Sequence, residues 1–259
     1  MNILVTNDDG IMAPGIFILK KELEKKYNVY VVAPDVERSA TGHAITIRNP
    51  LWAKKIFLND EFLGYAVNGT PADCVKLGLE AIYKDIKFDI IISGINKGPN
   101  LGTDLLYSGT VSGALEGSLN GYPSIAISSA NYQNPNYKTA AKFILDFLEN
   151  NSIINMPEFS ALNINVPNVD YSEIRGYKIT RQSKRRYKDY FEPRKDPYGN
   201  TYYWMLGEII EDDNAEDSDY FVLKENYVSI TPIKSFLTDY DYMNKLIKNI
   251  EEENNGFKG

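Results

Sequence analysis

The sequence predicts a doubly wound α/β fold on a mostly parallel sheet, with an inserted β-hairpin and a C-terminal β-rich and helical extension. Three observations carry this expectation. Short apolar runs alternate with helical patterns through the first two-thirds of the chain. Those runs show no clean polar–apolar alternation, as expected of parallel strands covered on both faces. From about Tyr171 the character changes, and tyrosines crowd together at Tyr177, Tyr187, Tyr190, Tyr198, Tyr202 and Tyr203.

Taken in order, residues 3–6 form the first strand, and helical spacing follows from about 16 to 26. Residues 29–33 read as a second buried strand, stopped by Pro34-Asp35. Residues 44–52 and 62–67 read as the arms of a hairpin around an Asn59-Asp60 turn. Thr70-Pro71-Ala72-Asp73 has the marks of a helix start: a hydroxyl N-cap, proline at the first position and an acid in the first turn. That helix is expected to reach about residue 83. Residues 88–93 form a third buried strand, and a glycine-rich loop over 94–109 leads to a helix at 111–120. Gly113 and Gly117 are unfavourable inside a helix unless something packs closely against them. A strand at 124–128, a helix at 139–150 and a strand at 161–166 complete the series. Repeated strand–helix units of this kind imply right-handed crossovers. Beyond them, 227–232 is strand-like and 239–253 is an amphipathic helix. We therefore expect a catalytic core over 1–170. An extension over 171–259 is expected to pack on that core and on a neighbouring subunit, because it holds more aromatics than a monomer can easily cover.

Composition narrows the function. Among 259 residues the net charge is −7, which argues against a protein that holds long nucleic acid through its phosphates. No apolar run approaches the ~20 residues that span a bilayer, so no membrane partner is expected. The start at Met1 runs straight into a strand pattern, and Cys74 is the only cysteine. A disulfide within the chain and a cysteine-rich metal site are excluded, and a cytoplasmic setting is the expectation. An acidic protein that handles an anionic substrate needs local positive potential, from a metal, a helix N-terminus or clustered bases. The one strongly basic run, 178–188, reads as a solvated strand face and turn.

Four segments carry chemistry. Asn7-Asp8-Asp9-Gly10 ends the first strand. These are ordinary turn residues, yet they sit where open α/β sheets bind ligands. Adjacent carboxylates repel, and a cation between them would be favourable. Hard oxygen donors suit Mg²⁺ or Mn²⁺. The second segment, Val32 through His43, leaves the next strand and offers the Ser39 hydroxyl as a ligand. His43, the only histidine, is either a general acid or a structural hydrogen-bonding group. The third segment, Ser93 through Gly102, offers the Asn96 carbonyl as a neutral ligand. In the fourth, Ser108, Gly109 and Thr110 precede a helix whose N–H groups and dipole can bind phosphate, or whose hydroxyls are simply caps. The chain has neither Gly-x-Gly-x-x-Gly after its first strand nor a Walker A sequence.

These segments, in this order, resemble the SurE stationary-phase survival proteins. The likeness runs through Val5–Ile11, Ala33-Pro34 with Glu37-Arg38-Ser39, Asn68–Val75, Ser93–Asn96 with Asn100, and Ser108–Val111. It continues into Asn163–Pro167 and Ser229–Pro232, nearly the whole chain. The resemblance implies a Rossmann-like core and a 5′(3′)-nucleotidase acting on nucleoside monophosphates, with short polyphosphate as a further substrate. It also implies one divalent metal ion held by Asp8, Asp9, Ser39 and Asn96. Homodimers or homotetramers built partly by exchange of C-terminal elements are implied by the same likeness. The mechanism expected is hydrolysis by metal-activated water, with Asp8 orienting or deprotonating the water and Ser108, Gly109 and Thr110 holding the phosphate. A covalent phosphatase with an attacking aspartate and a non-catalytic nucleotide sensor are the alternatives. The first suits a spaced Asp-x-Asp better than adjacent aspartates.

Overall fold

The computed structural model describes residues 1–150, 155–211 and 213–256. Its centre is a nine-stranded sheet. The strands are β1 (Asn2–Thr6), β2 (Asn28–Pro34), β3 (Ala53–Leu58), β4 (Glu61–Val67), β5 (Ile90–Lys97), β6 (Ser124–Ser129), β7 (Ser160–Val166), β8 (Tyr177–Ile179) and β11 (Val228–Lys234). Their order is β3-β4-β2-β1-β5-β6-β7-β11-β8. Pairing is parallel from β4 through β7, while β3 runs antiparallel to β4 and β11 antiparallel to β7. The helices are α1 (Pro14–Leu23), α2 (Pro71–Leu77), α3 (Gly109–Leu119), α4 (Tyr137–Asn150), α5 (Asp219–Lys224) and α6 (Tyr240–Gly256). β9 (Arg185–Lys195) and β10 (Thr201–Glu211) form a separate antiparallel pair.

The missing alternation in the strands has a direct cause. Ile3 and Val5 of β1 pack in one cluster with Ile16 and Leu19 of α1 and Ile144 of α4. Leu4, between them, packs in another with Val32, Cys74 and Val75. In β5, Ile90 and Ile92 face the first cluster and Ile91 the second. Both sheet faces are covered, so successive positions of these central strands are apolar; each such side chain contributes about 1.5–3 kcal/mol by burial.

Helix ends reflect local chemistry. Thr70 caps α2 through a capping box with Asp73, and Pro71 takes the first turn. A π-helical turn, Gly78–Ile82, continues it to the region expected. α3 lies so close to the sheet that a Cβ on Gly117 would overlap Ser124 Oγ and stand 2.8 Å from Ile91 Cβ.

The inserted hairpin departs from the sequence expectation. Its first arm is Ala53–Leu58, not residues 44–52. Residues 44–52 are irregular because their polar groups bond to the start of α2 instead of a strand. Thr46 N and Oγ1 donate to the two Asp73 oxygens at 2.8 and 2.7 Å, and Thr70 Oγ1 donates to Ala44 O. Asn59 and Asp60 do form the turn, both with positive φ.

Beyond residue 170 the chain returns to the sheet. β11 adds to β7 with Ser229 opposite Asn165, and β8 adds to β11. Two bases of the basic run are ion-paired. Arg181 pairs with Asp213 and Asp217, and Arg185, only 6% exposed, pairs with Asp104.

Candidate active site

Three neighbouring parallel strands, β2, β1 and β5, deliver their C-terminal ends to one edge of the sheet. The loops that leave these ends converge with the start of α3. Asp8, Ser39, Asn96 and Ser108 line a single cleft of about 630 Å³. Its position is the one an open α/β sheet offers to ligands.

The convergence is built by short-range contacts. After β1, Asn7 Nδ2 donates to Gly10 O and shapes the turn that carries both aspartates. The Ser39 loop docks beside it, with Arg38 N donating to Asp8 O at 2.7 Å and Gly42 N donating to Tyr107 O. Ser39 Oγ donates to Glu37 Oε1 at 2.7 Å. Asp9 Oδ2 accepts from Lys97 N at 3.0 Å, and Asn96 Nδ2 donates to Gly98 O, directing its carbonyl oxygen elsewhere. α3 arrives end-on. A Cβ on Gly109 would stand 2.8 Å from Asp8 Cβ, so only glycine lets the helix start this close to the carboxylate.

Ser108 caps α3 by accepting from Val111 N, and it also faces the cleft. The N-terminus of α3 thus points positive potential at the cleft. Thr110 is fully buried and donates its hydroxyl to Asp8 Oδ1. It reaches the site through that carboxylate.

The acidic pair is electrostatically tense. Burial raises the Asp8 pKa above the usual carboxylate range, although bonds from Thr110 and the backbone draw it down and Glu37 adds to the rise. Burial, then the charge of Asp8, raise that of Asp9 to about 6. Among the described residues, no group of three or more His, Cys, Asp and Glu gathers at one point. A cation here would have two carboxylates and otherwise neutral oxygens, from Ser39 and Asn96. That donor set fits a hard divalent ion, and the ion would relieve the repulsion that raises Asp9.

His43 falls on the structural side. Its Nε2 lies 2.9 Å from Glu116 Oε2, and Lys76 Nζ lies 2.7 Å from Glu116 Oε1. Burial alone would raise the Glu116 pKa, but the bonds from His43, Lys76 and Asn120 outweigh it and hold it low. This pairing ties the Ser39 loop to the body of α3.

Sequence reasoning missed part of the cleft. Asn100, Asp104, Tyr107, Tyr132, Tyr187 and Met205 also line it. Asn100 is clamped by β7: its N–H donates to Asn165 Oδ1, and its carbonyl accepts from both Asn163 Nδ2 and Asn165 Nδ2 at 2.9 Å. The Asn-x-Asn spacing of β7 was the available signal, since alternate strand residues share a face. Tyr132, Tyr187 and Met205 come from distant segments and left no local signal.

Comparison with known proteins identifies the family. The family described as "Survival protein SurE" matches residues 3–189. The protein named 5′-nucleotidase SurE from Kosmotoga olearia is 66% identical, over 98% of this chain and 100% of its own. Its namesake from Petrotoga mobilis is 63% identical over 95% of this chain and 98% of its own. A crystal structure of the SurE protein from Aquifex aeolicus superposes with a TM-score of 0.82 at 44% identity, covering 97% of this chain and 100% of that one. With the family match spanning most of the chain and such relatives aligned end to end, the chain belongs to the SurE survival-protein family.

Proposed function

We propose that this protein is a 5′-nucleotidase that hydrolyses nucleoside monophosphates with the help of one divalent ion, Mg²⁺ or Mn²⁺. One observation carries the reading: Asp8, of the acidic pair, and a helix N-terminus face the same cleft. A phosphoryl group drawn to α3 would meet Asp8 and Asp9, and the two can coexist only with a cation between them. The name borne by relatives at 66% and 63% identity supports the substrate class.

Asp8, Asp9, the Ser39 hydroxyl and the Asn96 carbonyl would hold the ion, which supplies Lewis acidity toward a phosphoryl oxygen and the attacking water. Asp8 orients that water and accepts its proton. Thr110 fixes the Asp8 carboxylate by donating to Oδ1. Ser108 and the N–H groups at the start of α3, Gly109 among them, hold the phosphoryl oxygens. We further propose that the β9–β10 hairpin and α6 pack against another copy of the chain.

The test is phosphate release from a panel of nucleoside monophosphates. Release is expected with Mg²⁺ or Mn²⁺, lost in chelator and regained on adding metal. Full activity in chelator overturns the metal site. Retained configuration in a chiral phosphate ester overturns the single displacement by water, because a phospho-aspartate route involves two inversions.

A further inference from the structure

The cleft, at about 630 Å³, is far larger than a phosphate needs, and its lining mixes polar groups with aromatic rings. Asp8, Ser39, Asn96 and Ser108 are polar and come from the β1 and β2 loops, β5 and the start of α3. The remaining lining includes Tyr107, Tyr132 and Tyr187, drawn from three separate parts of the chain. These residues are 62%, 56% and 40% exposed, although tyrosine normally hides its ring when it can.

These rings are held in place. Tyr187 donates its hydroxyl to Asp104 Oδ1, and Arg185 pairs with Asp104 Oδ2. Thr103 Oγ1 donates to Arg185 O, so the base of the hairpin is locked to the loop beside the site. Tyr132 lies flush on Gly98, where a Cβ would overlap its ring, and its hydroxyl reaches Pro99 O at 3.3 Å. Tyr107 is fixed by its backbone, with its N–H donating to Asp104 O and its carbonyl accepting from Gly42 N. Burial and the bond to Asp104 push the Tyr187 phenol up, so it stays a neutral donor and keeps that tie.

Resting on the nucleotidase reading, we propose that Tyr107, Tyr132 and Tyr187 form a nucleobase wall. The phosphoryl group sits at the strand ends, and the base of the same substrate stacks against these rings. Preorganised aromatic surface lowers the ordering penalty on binding. Every base has a π-face, so a stacking wall binds purines and pyrimidines alike and separates nucleotides from phosphate esters without a base. The tyrosine-rich C-terminal region therefore has a second role besides assembly: through Tyr187 it completes the substrate site.

The experiment compares kcat/KM for adenosine monophosphate with that for ribose 5-phosphate in the full chain. Tyr132→Ala and Tyr187→Ala are expected to lower the ratio of the two roughly five- to a hundredfold, mainly through KM for the nucleotide. Tyr132→Phe keeps the π-face and is expected to keep the wild-type ratio. If the Ala variants lose both substrates in equal proportion, or if the ratio does not move, the nucleobase wall is overturned. If wild-type protein releases no phosphate from any nucleoside monophosphate, the nucleotidase reading itself fails.

Discussion

Asp9 is asked to do two incompatible things. In the proposed metal site it must be ionised to hold a cation, yet burial and the neighbouring Asp8 raise its pKa to about 6. Its value in the unfolded chain is about 3.9, so the folded, metal-free protein binds the proton more tightly. The stability this proton brings is fully present below about pH 4 and is lost as pH rises through about 6. Neutralising the group should therefore help the fold while destroying the site. In chelator at pH 7, Asp9→Asn is expected to be more stable than wild type by about 1–2 kcal/mol, allowing for solvent screening of a half-buried group. The difference should vanish near pH 4. Added Mg²⁺ or Mn²⁺ should raise the melting temperature of wild type and leave the variant unmoved. Calorimetry from pH 4 to 7.5 checks this, and a stability difference that ignores pH contradicts it.

The start of α3 shows how one element serves both fold and site. Ser108 accepts from Val111 N and faces the cleft, so a simple deletion would mix two effects. Ser108→Ala should lose about 1 kcal/mol of stability as a broken N-cap, whereas glycine costs only a few tenths there. Ser108→Gly is thus expected to melt like wild type but to weaken inhibition by inorganic phosphate about tenfold or more. Wild-type phosphate inhibition in Ser108→Gly would make the residue a cap only. Elements of this kind were legible in sequence because their signals are local. The Thr70–Asp73 capping box, the Asn59-Asp60 turn and the strand end before Asp8 all lie within a few residues of what they specify, whereas β5 runs on past the expected end at 93 to carry Asn96 itself. The arm misplaced at 44–52 failed for the opposite reason. Its partners are Asp73 and Thr70, across a long separation that no periodicity records. Tyr187 and Met205 were hidden likewise: crowded tyrosines signal an uncovered surface, but not which of them turns toward a cleft formed elsewhere.

For the molecule as a whole, the unsolved problem of this chain is its uncovered apolar surface. β9 and β10 pair with each other through eleven registered positions, apart from the main sheet. A two-stranded ribbon is marginal alone in water, and it needs a covering surface. Here both strands remain open: Tyr190, Phe191, Tyr203, Trp204 and Met205 are each more than half exposed. The same holds for Leu237, Tyr240, Tyr242 and Ile250 in and before α6. A net charge of −7 opposes random aggregation but does not cover these side chains. A second copy, presenting the same surfaces through a symmetric interface, would. Light scattering on the full chain is expected to give a dimer or tetramer. Phe191→Glu, opposite Met205 in the ribbon, places a charge in the expected interface and should shift the population toward smaller species at low micromolar protein. A monodisperse wild-type monomer would rule the interface out. Because the base of the ribbon carries Tyr187 into the cleft, dissociation should also weaken nucleotide turnover, even though Phe191 itself is not among the residues lining the cleft.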